Sequence, residues 1–263
     1  MGQIDLIVAD KTGTLTLNEL IMREIYTDSK LIKINYRNQN AKEEKENAPR
    51  VMTTETVVYM RDFIEDERNL AAKNLFFCMS LCHTAIVQRL KKHGQRGFIS
   101  ESEDELALLA AARQIGFVFV KREEAQLSLK VFKENLDFKI RGLFPFDPVR
   151  KMMSIIVETH TGNVILFSKG ADTNMLKRCR LENNRREKLQ ARADTMAEKS
   201  YRTMVLAMRP FTPELVAEFE RYQHMMRTEP DPKKSKKMQH FFESDMTFLG
   251  ITAVEDSLQW NAP

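Results

Sequence analysis

Cysteine is scarce in this chain: Cys78, Cys82 and Cys179 are three among 263 residues. Three thiols cannot all pair, which excludes a disulfide-stapled scaffold and fits a reducing compartment. Long apolar runs are missing too. No stretch approaches the roughly 20 residues that a membrane-spanning helix needs, and the first residues lack the basic-then-apolar layout of a signal peptide. Charge of one sign is also absent. The formal net charge is +4 and dispersed, which argues against nucleic acid as a partner. There is no internal repeat. What remains is a 43% hydrophobic fraction, enough for the core of one large or two modest domains.

The most informative segment is Asp10-Lys11-Thr12-Gly13-Thr14-Leu15-Thr16, which follows the apolar run Ile4–Ala9. Such a run reads as a buried parallel strand. An aspartate at its carboxyl end, before a glycine turn, stands where open α/β sheets place ligands. A carboxylate there can attack phosphorus and become an aspartyl-phosphate. Lys11 would neutralise phosphate charge, and Thr12 and Thr14 would offer oxygens to a phosphoryl group or a magnesium ion.

Periodicity and turn chemistry organise the rest. Leu20–Asn35 reads as a departing strand and Tyr36–Asp62, charged and amide-rich, as a mobile insertion. Asn69–Val87 has core-helix spacing. A helix opens at Ser100 or Ser102 and ends near Gly116, a C-cap residue. Strands are expected over 117–121, 128–132, 138–144, 152–158, 164–168 and 203–208, with a hairpin turn at His160-Thr161-Gly162-Asn163. Helices are expected over 171–179, 185–199 and 212–226. Asp231–Lys237 reads as a basic linker, and Met246 onward as a strand.

The motifs and their order resemble the P-type ATPases of type IV, the phospholipid flippases. Asp10–Thr16 resembles their phosphorylation signature. Glu101–Leu108 is similar to a helix that commonly reads Ser-Pro-Asp-Glu-x-Ala-Leu, with Glu103 in place of the proline. Phe146–Ser154 resembles Phe-x-Ser-x-Arg-Lys-x-Met-Ser, with Pro148 in place of the first serine. Lys169-Gly170-Ala171-Asp172, Tyr201-Arg202-Thr203-Met204 and Phe248–Gln259 follow. Lys-Gly-Ala-Asp discriminates, since ion-pumping relatives commonly carry Lys-Gly-Ala-Pro-Glu.

The resemblance implies an α/β fold: a mixed nucleotide-binding domain, antiparallel sheet with helices, between two partial segments of a haloacid-dehalogenase-like phosphorylation domain. Boundaries are expected at 1–19, 20–245 (with 36–62 as the insertion) and 246–263. The family's Thr-Gly-Asp, Gly-Asp-Gly-x-Asn-Asp and Asp-Gly-Glu-Thr motifs and its membrane helices are not in this sequence, which is therefore expected to be a cytoplasmic-side piece of a multi-pass membrane protein.

For the site, the resemblance implies ATP binding by Asp10, Lys11, Thr12, Glu105, Phe146, Lys169 and Arg202. Asp10 would be the nucleophile, and Asp10 and Thr12 would hold Mg2+. Each has a plainer reading. Ser102 and Glu105 fit a capping box; Phe146 fits a core aromatic; Lys169 and Arg202 fit solvated strand-end cations. Gly170 is expected to leave room beside Lys169 in the pocket. Cys78, Cys82 and His83 suggest a metal only weakly, since core cysteines are commoner.

The leading functional expectation is an ATP-driven flippase, moving phospholipid through its membrane domain and working with an accessory subunit in the intact protein. The alternatives are an ATP-binding module without turnover and a soluble haloacid-dehalogenase-like phosphatase. The last is disfavoured by Thr12, where such enzymes commonly carry a second aspartate.

Overall fold

A computed structural model describes residues 16–27, 30–37, 50–89, 96–229 and 231–258. Its frame is one antiparallel sheet of nine strands. In chain order these are β1 (Thr16–Thr27), β2 (Lys30–Lys33), β5 (Phe117–Arg122), β6 (Gln126–Val131), β7 (Glu134–Asp147), β8 (Met152–Glu158), β9 (Val164–Gly170), β10 (Arg202–Pro210) and β11 (Thr247–Leu258). Their order across the sheet is β2-β1-β11-β10-β9-β8-β7-β6-β5. A separate ribbon pairs β3 (Ile86–Arg89) with β4 (Arg96–Ile99).

Helices cover both faces. One face carries α1 (Thr54–Glu65), α2 (Leu70–Leu81) and α3 (Glu103–Ile115); the other carries α4 (Asp172–Arg178), α5 (Asn183–Ala197), α6 (Pro213–Thr228) and α7 (Pro232–Phe242). Strand alternation explains this layering. In β8, Met153, Ile155 and Val157 enter the core with Leu75, Met79 and Leu108, whereas Met152 and Ile156 enter the opposite core with Met175, Phe219 and Phe242. A central strand buried on both faces needs a nearly continuous apolar run, which is what Met152–Val157 supplies. Among the described residues, no helix is long and apolar enough to cross a membrane.

Two expectations change. The insertion does not run through residue 62: Tyr36 bridges Met52, and Thr54–Glu65 is a helix capped by Thr53, whose side chain accepts from the Thr56 amide. Met60 and Ile64 pack into the core; the rest of the expected insertion, 38–49, lies outside the described residues. Asp231–Lys237 is not a linker. Asp231 caps α7 by accepting from the Lys233 and Lys234 amides, with Pro232 in the first turn, where its missing donor is harmless. The strand expected from Met246 onward forms as β11, which pairs with β10 and with β1.

The α3 boundaries follow the sequence closely. Gly116, at φ +125°, ends the helix in a conformation that suits glycine.

Candidate functional site

Four strand ends meet along one edge of the sheet. The register runs Asp147↔Met152↔Gly170↔Val205 from β7 to β10. Phe146 and the β7–β8 turn, Lys169 at the end of β9 and Arg202 at the start of β10 therefore share that edge. β7 and β9 are two strand spacings apart, about 10 Å.

The first turn of α3 faces Lys169 and Arg202. Lys169 Nζ lies 3.2 Å from Glu105 Oε1, and Arg202 Nη1 lies 3.7 Å from Asp104 Oδ2. The Lys169 pair is buried and the Arg202 pair is half exposed. Glu105 Oε2 also accepts from the Thr84 amide at 2.9 Å, the Thr84 hydroxyl at 3.0 Å and the Ser100 hydroxyl at 2.7 Å. The capping box is thus not formed. Ser102 makes no side-chain cap bond, and the Glu105 carboxylate turns away from the helix end toward Lys169. Burial alone would raise the Glu105 carboxyl, but Lys169, Ser100 and Thr84 together hold it below the ordinary carboxylate value. Burial raises Asp104, with Arg202 opposing.

Phe146 is not a core residue. It is 64% exposed, and Val149 beside it is 86% exposed. Two large apolar side chains are thus held in solvent by this turn. The turn itself is rigidly specified. Asp147 Oδ1 accepts from the Val149 amide at 3.0 Å and the Arg150 amide at 2.6 Å. Pro148 follows it at a position where proline pre-sets the turn and a lost amide costs little. The Arg150 guanidinium donates to the Pro145 carbonyl at 2.6 Å and the Met152 carbonyl at 3.2 Å.

Gly170 is also required by the turn itself. A Cβ there would meet the Lys151 carbonyl oxygen and Met152 Cβ, each at 2.5 Å, while Ala171 N–H bonds that same carbonyl at 2.9 Å. Glycine is needed for the turn to lie against β9. Thr84, Ser100 and Asp104 are the partners that sequence reasoning missed; only tertiary folding brings the first of these to α3.

Cys78 and Cys82 are buried. Their thiols donate to the Ser168 and Met153 carbonyls at 3.4 and 3.6 Å, so both act as core residues facing β9 and β8. His83 is fully buried, edge-on to Phe119 at 4.5 Å. Burial, then the Lys169 charge, lowers its pKa from 6.5 to about 3. Asp10, Lys11 and Thr12 lie outside the described residues.

Comparison with known proteins gives this geometry its context. Residues 71–261 match the family described as P-type ATPase, cytoplasmic domain N. The whole chain aligns with phospholipid-transporting ATPase IC of Homo sapiens at 29% identity, covering 22% of that protein. It aligns likewise with phospholipid-transporting ATPase DNF1 of Chaetomium thermophilum at 28%, covering 20%, and with phospholipid-transporting ATPase ID of Mus musculus at 30%, covering 23%. The chain therefore spans about a fifth of the length of these relatives. Motif order, the antiparallel sheet sandwiched by helices and the family match agree, and the chain belongs to the P-type ATPases, carrying their cytoplasmic domain N.

Proposed function

We propose that this chain is the ATP-binding unit of a phospholipid-transporting P-type ATPase. The observation that carries the reading is Phe146, a structured but solvent-facing aromatic on the sheet edge that also bears Lys169 and Arg202. Adenine would stack on the Phe146 ring, a contact worth about 1 kcal/mol. Lys169, oriented by Glu105, and Arg202, steadied by Asp104, would supply positive charge along the nucleotide. Glu105 already accepts four bonds, so its task is to orient Lys169, and any contact with adenine is secondary.

The transfer step belongs to Asp10 in this reading. Its carboxylate would attack the γ-phosphorus in line, the P–O bond to ADP would break, and an aspartyl-phosphate would remain. Lys11 would balance charge on the transferring group. The oxygen donors Asp10 and Thr12 suit Mg2+, which would neutralise phosphate charge. In the whole protein, on the cytoplasmic side of a membrane, breakdown of that phosphate would drive movement of a phospholipid.

Titration of the 263-residue chain with a fluorescent ATP analogue tests the reading. Phe146→Ala and Lys169→Ala should each weaken binding about fivefold or more, in line with the loss of a stack or a cation. Unchanged affinity in both would reject this pocket.

A further inference from the structure

We propose that Glu243 is a positioning residue for nucleotide binding: a buried carboxylate that fixes Arg150 and, through it, the turn that presents Phe146. The inference rests on the reading of Phe146 as the adenine contact.

Glu243 closes α7, on the sheet face opposite α3, and its side chain has no exposed surface. Oε1 takes the Arg150 Nη1 hydrogen bond and a second bond from the Ser154 hydroxyl at 2.5 Å. Ser154 in turn lies 2.7 Å from the Ser168 hydroxyl. Oε2 has no hydrogen-bond partner among the described residues; Arg178 Nη1 lies 3.7 Å from it. The other arm of Arg150 holds the Pro145 and Met152 carbonyls, one on each side of the turn. Asn174 of α4 holds the Arg150 carbonyl at 2.8 Å. The guanidinium is thus a clamp across the base of the β7–β8 turn, and Glu243 is its anchor.

Stability does not account for such an arrangement. Withdrawing a carboxylate and a guanidinium from water costs as much as their attraction returns, and apolar residues of similar volume often hold a fold equally well. What the pair supplies is direction. A planar guanidinium fixed by a carboxylate presents its remaining donors in one fork, and here the fork grips the carbonyl immediately before Phe146. An aromatic ring must be held in one orientation to stack without first surrendering conformational freedom. Phe146, with more than half its surface in solvent, has few side-chain neighbours to hold it, so its backbone must.

The test uses Glu243→Gln, which keeps the shape and one acceptor oxygen but removes the charge, and Arg150→Lys, which keeps the charge but loses the fork. Each should weaken binding of the ATP analogue roughly three- to tenfold, the size expected between coupled neighbours. In a Phe146→Ala background, neither should weaken it further. A separate readout follows the turn without ligand: Phe146→Trp combined with Trp260→Phe, with emission anisotropy falling when Glu243→Gln is added. A Glu243→Gln protein that melts earlier yet keeps full affinity and an ordered turn would reduce Glu243 to a structural role and overturn the proposal. So would losses that simply add to that of Phe146→Ala. If Phe146→Ala itself leaves affinity unchanged, the site reading fails instead, and the anisotropy still decides whether Glu243 holds the turn. Should Glu243→Gln not fold, Arg150→Lys carries the same comparison.

Discussion

Lys169 and Glu105 face each other at 3.2 Å with side chains only 8% and 6% exposed. Neither is placed by its neighbours in sequence: one ends β9, the other opens α3, and 64 residues separate them. Their pairing makes the candidate site an electrostatic unit.

Removing one member should therefore hurt more than removing both. Glu105→Gln leaves the Lys169 ammonium buried without a counter-charge, at a cost of about 3 kcal/mol. Glu105→Gln with Lys169→Met, which keeps an acceptor for Thr84 and Ser100, should recover at least half of that loss. Urea unfolding of the three proteins checks it, and a double variant less stable than the single one would refute the pairing argument.

His83 makes stability fall on the acid side. Its folded pKa, about 3, lies below the ordinary 6.5, so between those values the unfolded chain binds a proton that the folded chain does not. Stability is fully present above pH 6.5 and declines below it, by up to about 1.4 kcal/mol per pH unit. Glu105 acts in the same direction at lower pH. Its depressed carboxyl contributes stability above its unfolded pKa and loses it as pH falls through the folded one. His83→Asn should flatten the slope of the urea midpoint between pH 6.5 and 5, leaving the steeper loss at lower pH.

Gly170→Ala forces a methyl against the Lys151 carbonyl and Met152 Cβ. Overpacking of this kind costs about 2 kcal/mol. Because backbone is what must move, ATP-analogue affinity should fall together with the melting temperature. A neutral substitution would mean that the turn is looser than the geometry implies.

Asp10→Asn, made in the full-length protein, should abolish a hydroxylamine-sensitive label from radiolabelled ATP. A label that survives would place the phosphate elsewhere.

Much of this fold is legible in sequence because local signals agree with tertiary demands. Met152–Glu158 reads as a strand through its β-branched apolar run, and α3 ends where Gly116 can adopt positive φ. Local signals are obscured where composition is averaged over a long stretch. Thr54–Glu65 is amphipathic, with Met60 and Ile64 inward, but the charged residues before it hid that pattern. In α7 the run of lysines masked the cap signal of Asp231 and Pro232. The site divides in the same way. Phe146, Lys169 and Arg202 sit in motifs that can be read directly. The partners of Glu105 could not be read, because capping geometry is local whereas Thr84 and Lys169 reach it only through the packing of α2, α3 and β9.

The pairing of β1 with β11, from Thr27↔Gly250 out to Thr16↔Leu258, has a consequence for heredity. Among the described residues these are the first and last strands, and a body joined through two such neighbours can be spliced into a host loop while asking the host to close a gap of only about 5 Å. Both strands are also hydrogen-bonded members of the same sheet, so the graft brings its own joint. Insertions and deletions elsewhere on the nine-stranded body would then leave the host's geometry untouched.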